Sequence, residues 1–225
     1  MAKQVSQGTC NICSGVFSKS TMTKHLASCK QGRTIFKTSA GKQEFKKTKT
    51  FHLVIEGRNL PDYWMHIEAS SDATLADLDG FLRGIWLECC GHLSAFTIEG
   101  KKYTSYPDKE MDDKGMDVVL DVVLRPKMKF LHEYDFGTTT ELVLKIVAER
   151  ENEIKGKSIK LLARNVPPGI VCESCGKITT QVCNQCIYEG RGWLCDACAV
   201  AHECGEEMFL PVVNSPRVGM CGYSG

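Results

Sequence analysis

The chain has 225 residues, with 28 Lys and Arg against 27 Asp and Glu, and 13 cysteines. No run approaches the ~18 consecutive apolar residues of a membrane span, and Met1-Ala-Lys-Gln-Val lacks the apolar stretch of a secretory leader. Membrane and secreted classes are set aside, and a reducing, cytoplasmic setting is expected.

The net charge of +1 conceals two parts of opposite sign. Residues 1–49 hold 10 of the 28 basic residues and one acid, Glu44, for a net of +9. The remaining 18 basic and 26 acidic residues give −8.

The first motif in the chain is Cys10-x2-Cys13-x11-His25-x3-Cys29. Two thiols on a tight turn and a His/Cys pair on one face of a helix can close on one tetrahedral zinc. Phe17, Met22 and Leu26 would pack that helix. Residues 1–32 therefore read as a C2HC zinc finger. A single finger reads only about three base pairs, and Ser20, Thr21 and Thr23 are poor base readers. Residues 33–49 read as a basic linker in which Lys42, Lys46, Lys47 and Lys49 are candidate phosphate contacts. The alternatives are a solvated connector or an arm folded back on the acidic remainder.

Residues 50–165 are long enough to bury a core. Thr50–Glu56 and Tyr63–Ala69 read as strands joined by a turn at residues 57–62. A helix starts near Asp72 or Thr74, with Leu75, Leu78, Leu82, Ile85 and Trp86 on its buried face. Residues 96–103 read as a hairpin about Gly100, and residues 116–124 as a short helix. Strands at 129–136, 141–149 and 158–164 complete an antiparallel sheet. His92, His132, Glu133 and Asp135 are the acid/base candidates here. Glu133 and Asp135, two apart on a strand, are expected to point the same way. Cys89 and Cys90, beside Trp86, read as core packing.

The last quarter reads Cys172-x2-Cys175-x7-Cys183-x2-Cys186-x8-Cys195-x2-Cys198-x3-His202-x-Cys204, with Cys221 beyond. Adjacent C-x2-C pairs in a reducing compartment suit zinc better than disulfides or a redox pair. An interleaved arrangement is expected: Cys172 and Cys175 with Cys195 and Cys198, then Cys183 and Cys186 with His202 and Cys204. Each ion would then tie together distant parts of a segment too short to bury a core. Cys221 either replaces Cys204 or is an ordinary thiol. Residues 166–225 thus form a zinc-binding unit whose order resembles the cross-braced B-box and MYND-type fingers, for a total of about three zinc ions. The finger, centre and C-terminal unit are expected to fold independently.

The stretch from Tyr63-Trp-Met through Thr74-Leu-Ala-Asp-Leu to Gly91-His-Leu-Ser-Ala-Phe, and above all Glu133-Tyr-Asp-Phe-Gly, resembles the plasmid pRiA4b ORF-3-like family. Arg164-Asn-Val-Pro-Pro and the end from Pro211 to Tyr223 look like its zinc-bearing branch. The resemblance covers residues 50–225. It implies a small α+β core and an association with plasmids and insertion elements. Many members continue after Tyr-Asp-Phe-Gly with an acid, Trp and His. Here Thr138, Thr139, Thr140 and Leu142 stand in those places, so an activity needing that trio would be absent.

The fold expected is α+β: a small antiparallel-sheet central domain with packed helices, flanked by the N-terminal finger and the C-terminal cross-braced domain. The function expected is that of a non-enzymatic zinc-binding interaction protein. Its basic arm would engage DNA or RNA, and its C-terminal zinc domain a protein. The alternative is a metal-assisted enzyme built on Glu133 and Asp135. A duller reading makes every zinc a staple on a scaffold.

Overall fold

The computed structural model describes residues 5–29, 47–108, 110, 113–153 and 158–225. A hairpin of β1 (Gln7–Cys10) and β2 (Val16–Ser18) leads into helix α1 (Lys19–Ser28). Long strands β3 (Lys47–Gly57) and β4 (Trp64–Ser70) follow, then α2 (Leu75–Leu82), whose end widens into a π-type turn over Arg83–Leu87. After β5 (Ser94–Ile98), β6 (Lys101–Thr104), β7 (Lys114–Gly115) and a one-turn helix α3 (Leu120–Val123) come β8 (Lys129–Tyr134), β9 (Thr140–Glu153) and β10 (Ile159–Asn165). These ten strands form one sheet in the order β2-β1-β10-β4-β3-β9-β8-β5-β6-β7, antiparallel except for the β6–β7 pair. A separate three-stranded sheet, β12 (Trp193–Leu194), β11 (Gln181–Cys183) and β13 (Phe209–Pro211), carries the C-terminal segment with helix α4 (Asp196–Ala199).

The architecture is mixed and mostly sheet, and the large sheet is more extensive than the small one expected. The reason lies at the β10 edge. Its unpaired backbone groups are a template for another strand, and β1 takes that place with Gly8 opposite Asn165 and Cys10 opposite Ala163. The finger hairpin is therefore continuous with the central sheet. A Cβ at position 8 would stand 2.4 Å from the Trp64 ring and 2.5 Å from the Arg164 carbonyl oxygen, so only glycine lets the two backbones meet.

Helix α2 begins as its sequence dictates. Thr74 Oγ1 accepts from the Asp77 N–H (3.0 Å), and Asp77 Oδ2 accepts from the Thr74 N–H (2.8 Å), a reciprocal capping box. Its Leu75, Leu78 and Leu82, with Trp86 beyond, are buried against Phe51, Leu53, Met65, Ile67 and Leu144 of the sheet. The helix expected over residues 116–124 shrinks to the single turn α3. Its first half instead lies extended against the start of α2: the Met116 and Val118 carbonyls accept from the Ala76 and Leu75 N–H groups. Stiff β-branched side chains at Val118 and Val119 suit that extended run.

Strand β4 is covered on both faces, which explains its nearly continuous burial. Met65 and Ile67 face the main core, whereas Trp64 joins Cys10, Met22, Leu26 and Ala163 beneath the finger. The Trp64 indole N–H donates to Ser6 Oγ at 2.8 Å. Beside it His66 Nδ1 and His52 Nε2 share a hydrogen bond at 2.9 Å, both rings being buried. Burial drives the His52 pKa down to about 3 and that of His66 to about 4, helped by repulsion from His66 and Lys19 respectively.

Both imidazoles thus fold neutral, while in the unfolded chain they bind protons below about 6.5. Between those limits the unfolded state holds more protons, so stability is complete above pH ~6.5 and falls as pH drops toward 4. Each histidine contributes a slope approaching about 1.4 kcal/mol per pH unit in that window. In urea melts, the loss of stability between pH 7 and pH 5 should be clearly smaller in a His52→Phe/His66→Phe double variant than in the parent. Equal losses would show that the pair does not titrate this way.

Candidate metal centres

Among the described residues, four groups of Cys and His place their ligand atoms within 4.8 Å of one another and could each hold a metal ion. Sulfurs bound to one tetrahedral ion at about 2.3 Å stand about 3.8 Å apart. Contacts near that value are the geometric test of each group.

The N-terminal group is Cys10, Cys13, His25 and Cys29. Cys10 ends β1, and the following turn is closed by Cys10 N–H to Gly15 O (2.9 Å) and Ser14 N–H to Cys10 O (2.8 Å). His25 comes from the last turn of α1 and Cys29 immediately follows it. Cys13 Sγ lies 3.3 Å from His25 Nε2, and Phe17 stacks on the imidazole at 3.8 Å between ring centroids. The Gly15 N–H lowers the Cys13 thiol pKa, whereas burial and the neighbouring thiols push Cys29 up to about 11. The helix is laid along the sheet: Met22 and Leu26 are buried beneath it, and Lys19 Nζ bonds Glu56 and the Pro61 carbonyl oxygen. In the first turn Lys19 and Met22 are thus engaged by the protein, while Ser20 and Thr21 are exposed.

The C-terminal segment holds two groups in interleaved order. Cys172 and Cys175 meet Cys195 and Cys198, while Cys183 and Cys186 meet His202 and Cys204. Cys175 and Cys195 sulfurs are 3.6 Å apart, as are those of Cys186 and Cys204. Cys186 Sγ stands 3.4 Å from His202 Nε2. The N–H of Cys195 is the main influence that brings the Cys172 thiol down to about 6. At Cys183 burial acts upward, but the N–H groups of Cys186 and Gln185 prevail and bring it to about 7. Helix α4 links the two groups, with Cys198 near its end and His202 four residues on. In the first group Cys172, Cys175, Cys195 and Cys198 supply thiols alone, and in the second His202 replaces one.

Cys204, not Cys221, completes the second C-terminal group. Cys221 lies instead with Cys89, Cys90 and His92. Cys89 is half-buried and packs against the main core, as expected, whereas Cys90 is exposed and the core-packing expectation is corrected for it. Cys-Cys-Gly-His has a ligand density comparable to the other motifs. Its fourth member stands over a hundred residues away, and spacing alone does not reveal it.

Of the acid/base candidates, His92 and Asp135 approach each other, Nε2 to Oδ2 at 3.5 Å, while the expected Glu133–Asp135 pair does not form. Tyr134 ends β8, and Asp135 takes a left-handed backbone (φ 65°) that breaks the alternation. Its carboxylate is consequently buried while Glu133 remains half-exposed, and the two do not point together. Asp135 accepts from the N–H of Gly137 and Thr138, from Thr138 Oγ1 and from Arg217 Nη2 at 2.7 Å. Burial alone would raise its pKa, but these donors hold it well below the usual carboxylate range. His132 is fully buried against Asp79 Oδ1 at 2.7 Å. Of the basic run, Lys42 and Lys46 lie outside the described residues, and Lys47 opens β3. Lys49 Nζ is held by Asp121 Oδ1 (2.7 Å) and Glu149 Oε2 (3.3 Å), so this member of the run is already engaged by carboxylates of its own chain.

Arg217 deserves notice as a residue that sequence reasoning passed over. It is fully buried, stacks on Tyr134 at 4.7 Å, and donates to Asp135, Thr138 O, Thr140 Oγ1 and Cys89 Sγ. Arg217→Met removes the cation and leaves Asp135 buried without it. Such a break should cost about 3–5 kcal/mol of unfolding free energy. A denaturant midpoint shifted by the equivalent of less than ~1 kcal/mol would show that the pair does not hold the tail.

No family model matches the chain, and no curated protein sequence matches it either. Among solved structures, it is similar to the crystal structure of a protein of unknown function from Methanosarcina mazei Go1, at 17% identity and a TM-score of 0.48. That likeness covers 60% of this chain and 78% of the other.

Proposed function

We propose that this chain is a non-enzymatic zinc-binding interaction protein. The observation that carries the reading is the closure of three ligand sets, at Cys10/Cys13/His25/Cys29, Cys172/Cys175/Cys195/Cys198 and Cys183/Cys186/His202/Cys204. Four protein ligands per ion leave no position for substrate or an activated water, which is the signature of structural zinc. Zinc fits over harder cations because every donor is a thiol or an imidazole. Binding at these sites is folding energy for segments with little core of their own. The C-terminal unit, braced in this way, is the surface offered to a protein partner.

Nucleic acid is the partner proposed for the N-terminal part, on the strength of its net +9 charge. With Lys49 engaged by Asp121 and Glu149, the contact falls chiefly to Lys42, Lys46 and their basic neighbours in residues 1–46. The family reading belongs here too: a relationship to the zinc-bearing pRiA4b ORF-3-like proteins would place the chain among passengers of mobile elements. Among the described residues no helix is long and apolar enough to cross a membrane.

Metal analysis by mass spectrometry on reduced full-length protein should find zinc, with Cys13→Ser, Cys175→Ser and Cys186→Ser each losing one equivalent. Unchanged zinc in any of them rules out that site. In a shift assay with mixed DNA and RNA, binding should weaken by at least tenfold between 50 and 200 mM salt, on the order expected of several phosphate contacts. Lys42→Gln/Lys46→Gln should weaken it further. No shift at low salt would discard the nucleic-acid partner and leave the zinc reading intact.

A further inference from the structure

We propose that Cys89, Cys90, His92 and Cys221 form a fourth metal site, a clasp that holds the C-terminal tail to the central domain through one tetrahedral, zinc-class divalent ion. The contacts pass the same geometric test as the other three groups. Cys90 Sγ lies 3.6 Å from Cys89 Sγ, 3.7 Å from Cys221 Sγ and 2.9 Å from His92 Nε2. His92 Nε2 lies 3.2 Å from Cys221 Sγ. A disulfide would bring two sulfurs to about 2.05 Å, and these pairs stand at nearly twice that. Thiols are weak hydrogen-bond donors and acceptors, so three of them converging with an imidazole have little to gain from one another without a cation.

The backbone is shaped for the convergence. Gly91 adopts φ 80°, reversing the chain so that Cys90 and His92 turn to one point. Cys221 itself sits at φ 48°, a left-handed conformation costly for a residue with a Cβ. Strain of that kind persists where surrounding contacts over-determine it, and it collects at functional positions. The tail around it is fixed by Tyr223 N–H to Met220 O (2.9 Å) and Met220 N–H to Arg217 O (3.0 Å).

Groups behind the ligands complete the site. Arg217 Nη2 donates to Cys89 Sγ at 3.4 Å, placing a positive charge against a thiolate. Tyr134 Oη accepts from the Cys89 and His92 N–H groups and donates to Glu88 Oε1, which orients both ligand-bearing residues. Such outer partners position ligands and adjust their basicity. Asp135 Oδ2 stands 3.5 Å from His92 Nε2 and shares the same arginine.

This group differs from the other three in what it connects. Each of those closes a local segment, whereas Cys90 and Cys221 are 131 residues apart. An ion here closes a loop over more than half the chain. It is also the more open site, because Cys90 is exposed and His92 and Cys221 are only half-buried. Its ion is therefore the first that a chelator should reach.

The test is a zinc count on reduced full-length protein by native mass spectrometry, together with cobalt substitution. Wild type should hold four equivalents, and Cys221→Ser and Cys90→Ser three each. Cys221→His, which restores a donor, should return the count to four with one thiolate-to-cobalt contribution fewer than wild type. Mild chelation should remove one ion first and open the last residues, beyond Val218, to carboxypeptidase, an opening already present in Cys221→Ser. Three equivalents in wild type and in Cys221→Ser alike would overturn the clasp, as would a Cys89–Cys90 disulfide found in its place. A failure of the other zinc sites would appear separately, as equivalents lost from the Cys13, Cys175 and Cys186 variants.

Discussion

The ion pair between Arg217 and Asp135 joins the C-terminal tail to the turn after β8 of the central sheet. A guanidinium with no solvent exposure is tolerated when its charge is met, and here a carboxylate, a carbonyl, a hydroxyl and an aromatic face meet the charge and both terminal nitrogens, with Nε left without a hydrogen bond. To reach that pocket the tail must lie across the central domain. Ser215 then donates to the Trp86 carbonyl at 2.6 Å, and Val218 enters the main core beside Val182 of the C-terminal sheet. The same placement brings Cys221 to Cys89, Cys90 and His92. Val182 and Val218 of the C-terminal segment thus pack in the main core.

The N-terminal finger is joined to the centre by a different device. Its hairpin occupies the β10 edge, and its helix closes the back of β4 over Trp64 and the His52–His66 pair. A metal group that in isolation would have only a few apolar residues to fold around gains a tryptophan and a sheet to rest on. Lys19, at the start of α1, is bound to Glu56 and Pro61 in this arrangement. The polyanion contact proposed for this end of the molecule would rest on charge other than that of Lys19.

The acidic residues that suggested chemistry are used for architecture. Asp79 holds buried His132, and Asp135 closes the turn after β8 and receives Arg217. A left-handed backbone at residue 135 is enough to separate it from Glu133, and the period-two argument for paired carboxylates fails at that single residue. The groups that could hold metal are instead thiols and imidazoles at the ends of short elements, where turn N–H groups can hold a thiolate.

What the sequence determined by itself is what local spacing encodes. A C-x2-C turn places two sulfurs together whatever surrounds it, so three ligand sets were legible. The apolar period of Leu75, Leu78 and Leu82 and the Thr74–Asp77 box likewise define α2, because helix geometry and capping are short-range. Tertiary structure decided the rest. The sheet grew to ten strands because an edge accepted the finger hairpin, and Val118 and Val119 became extended because the start of α2 offered N–H donors to the backbone beside them. Cys221 found its partners only because a buried arginine carried it back over more than a hundred residues. Nothing in local spacing encodes contacts of that range, since they depend on which surfaces the folded chain brings together.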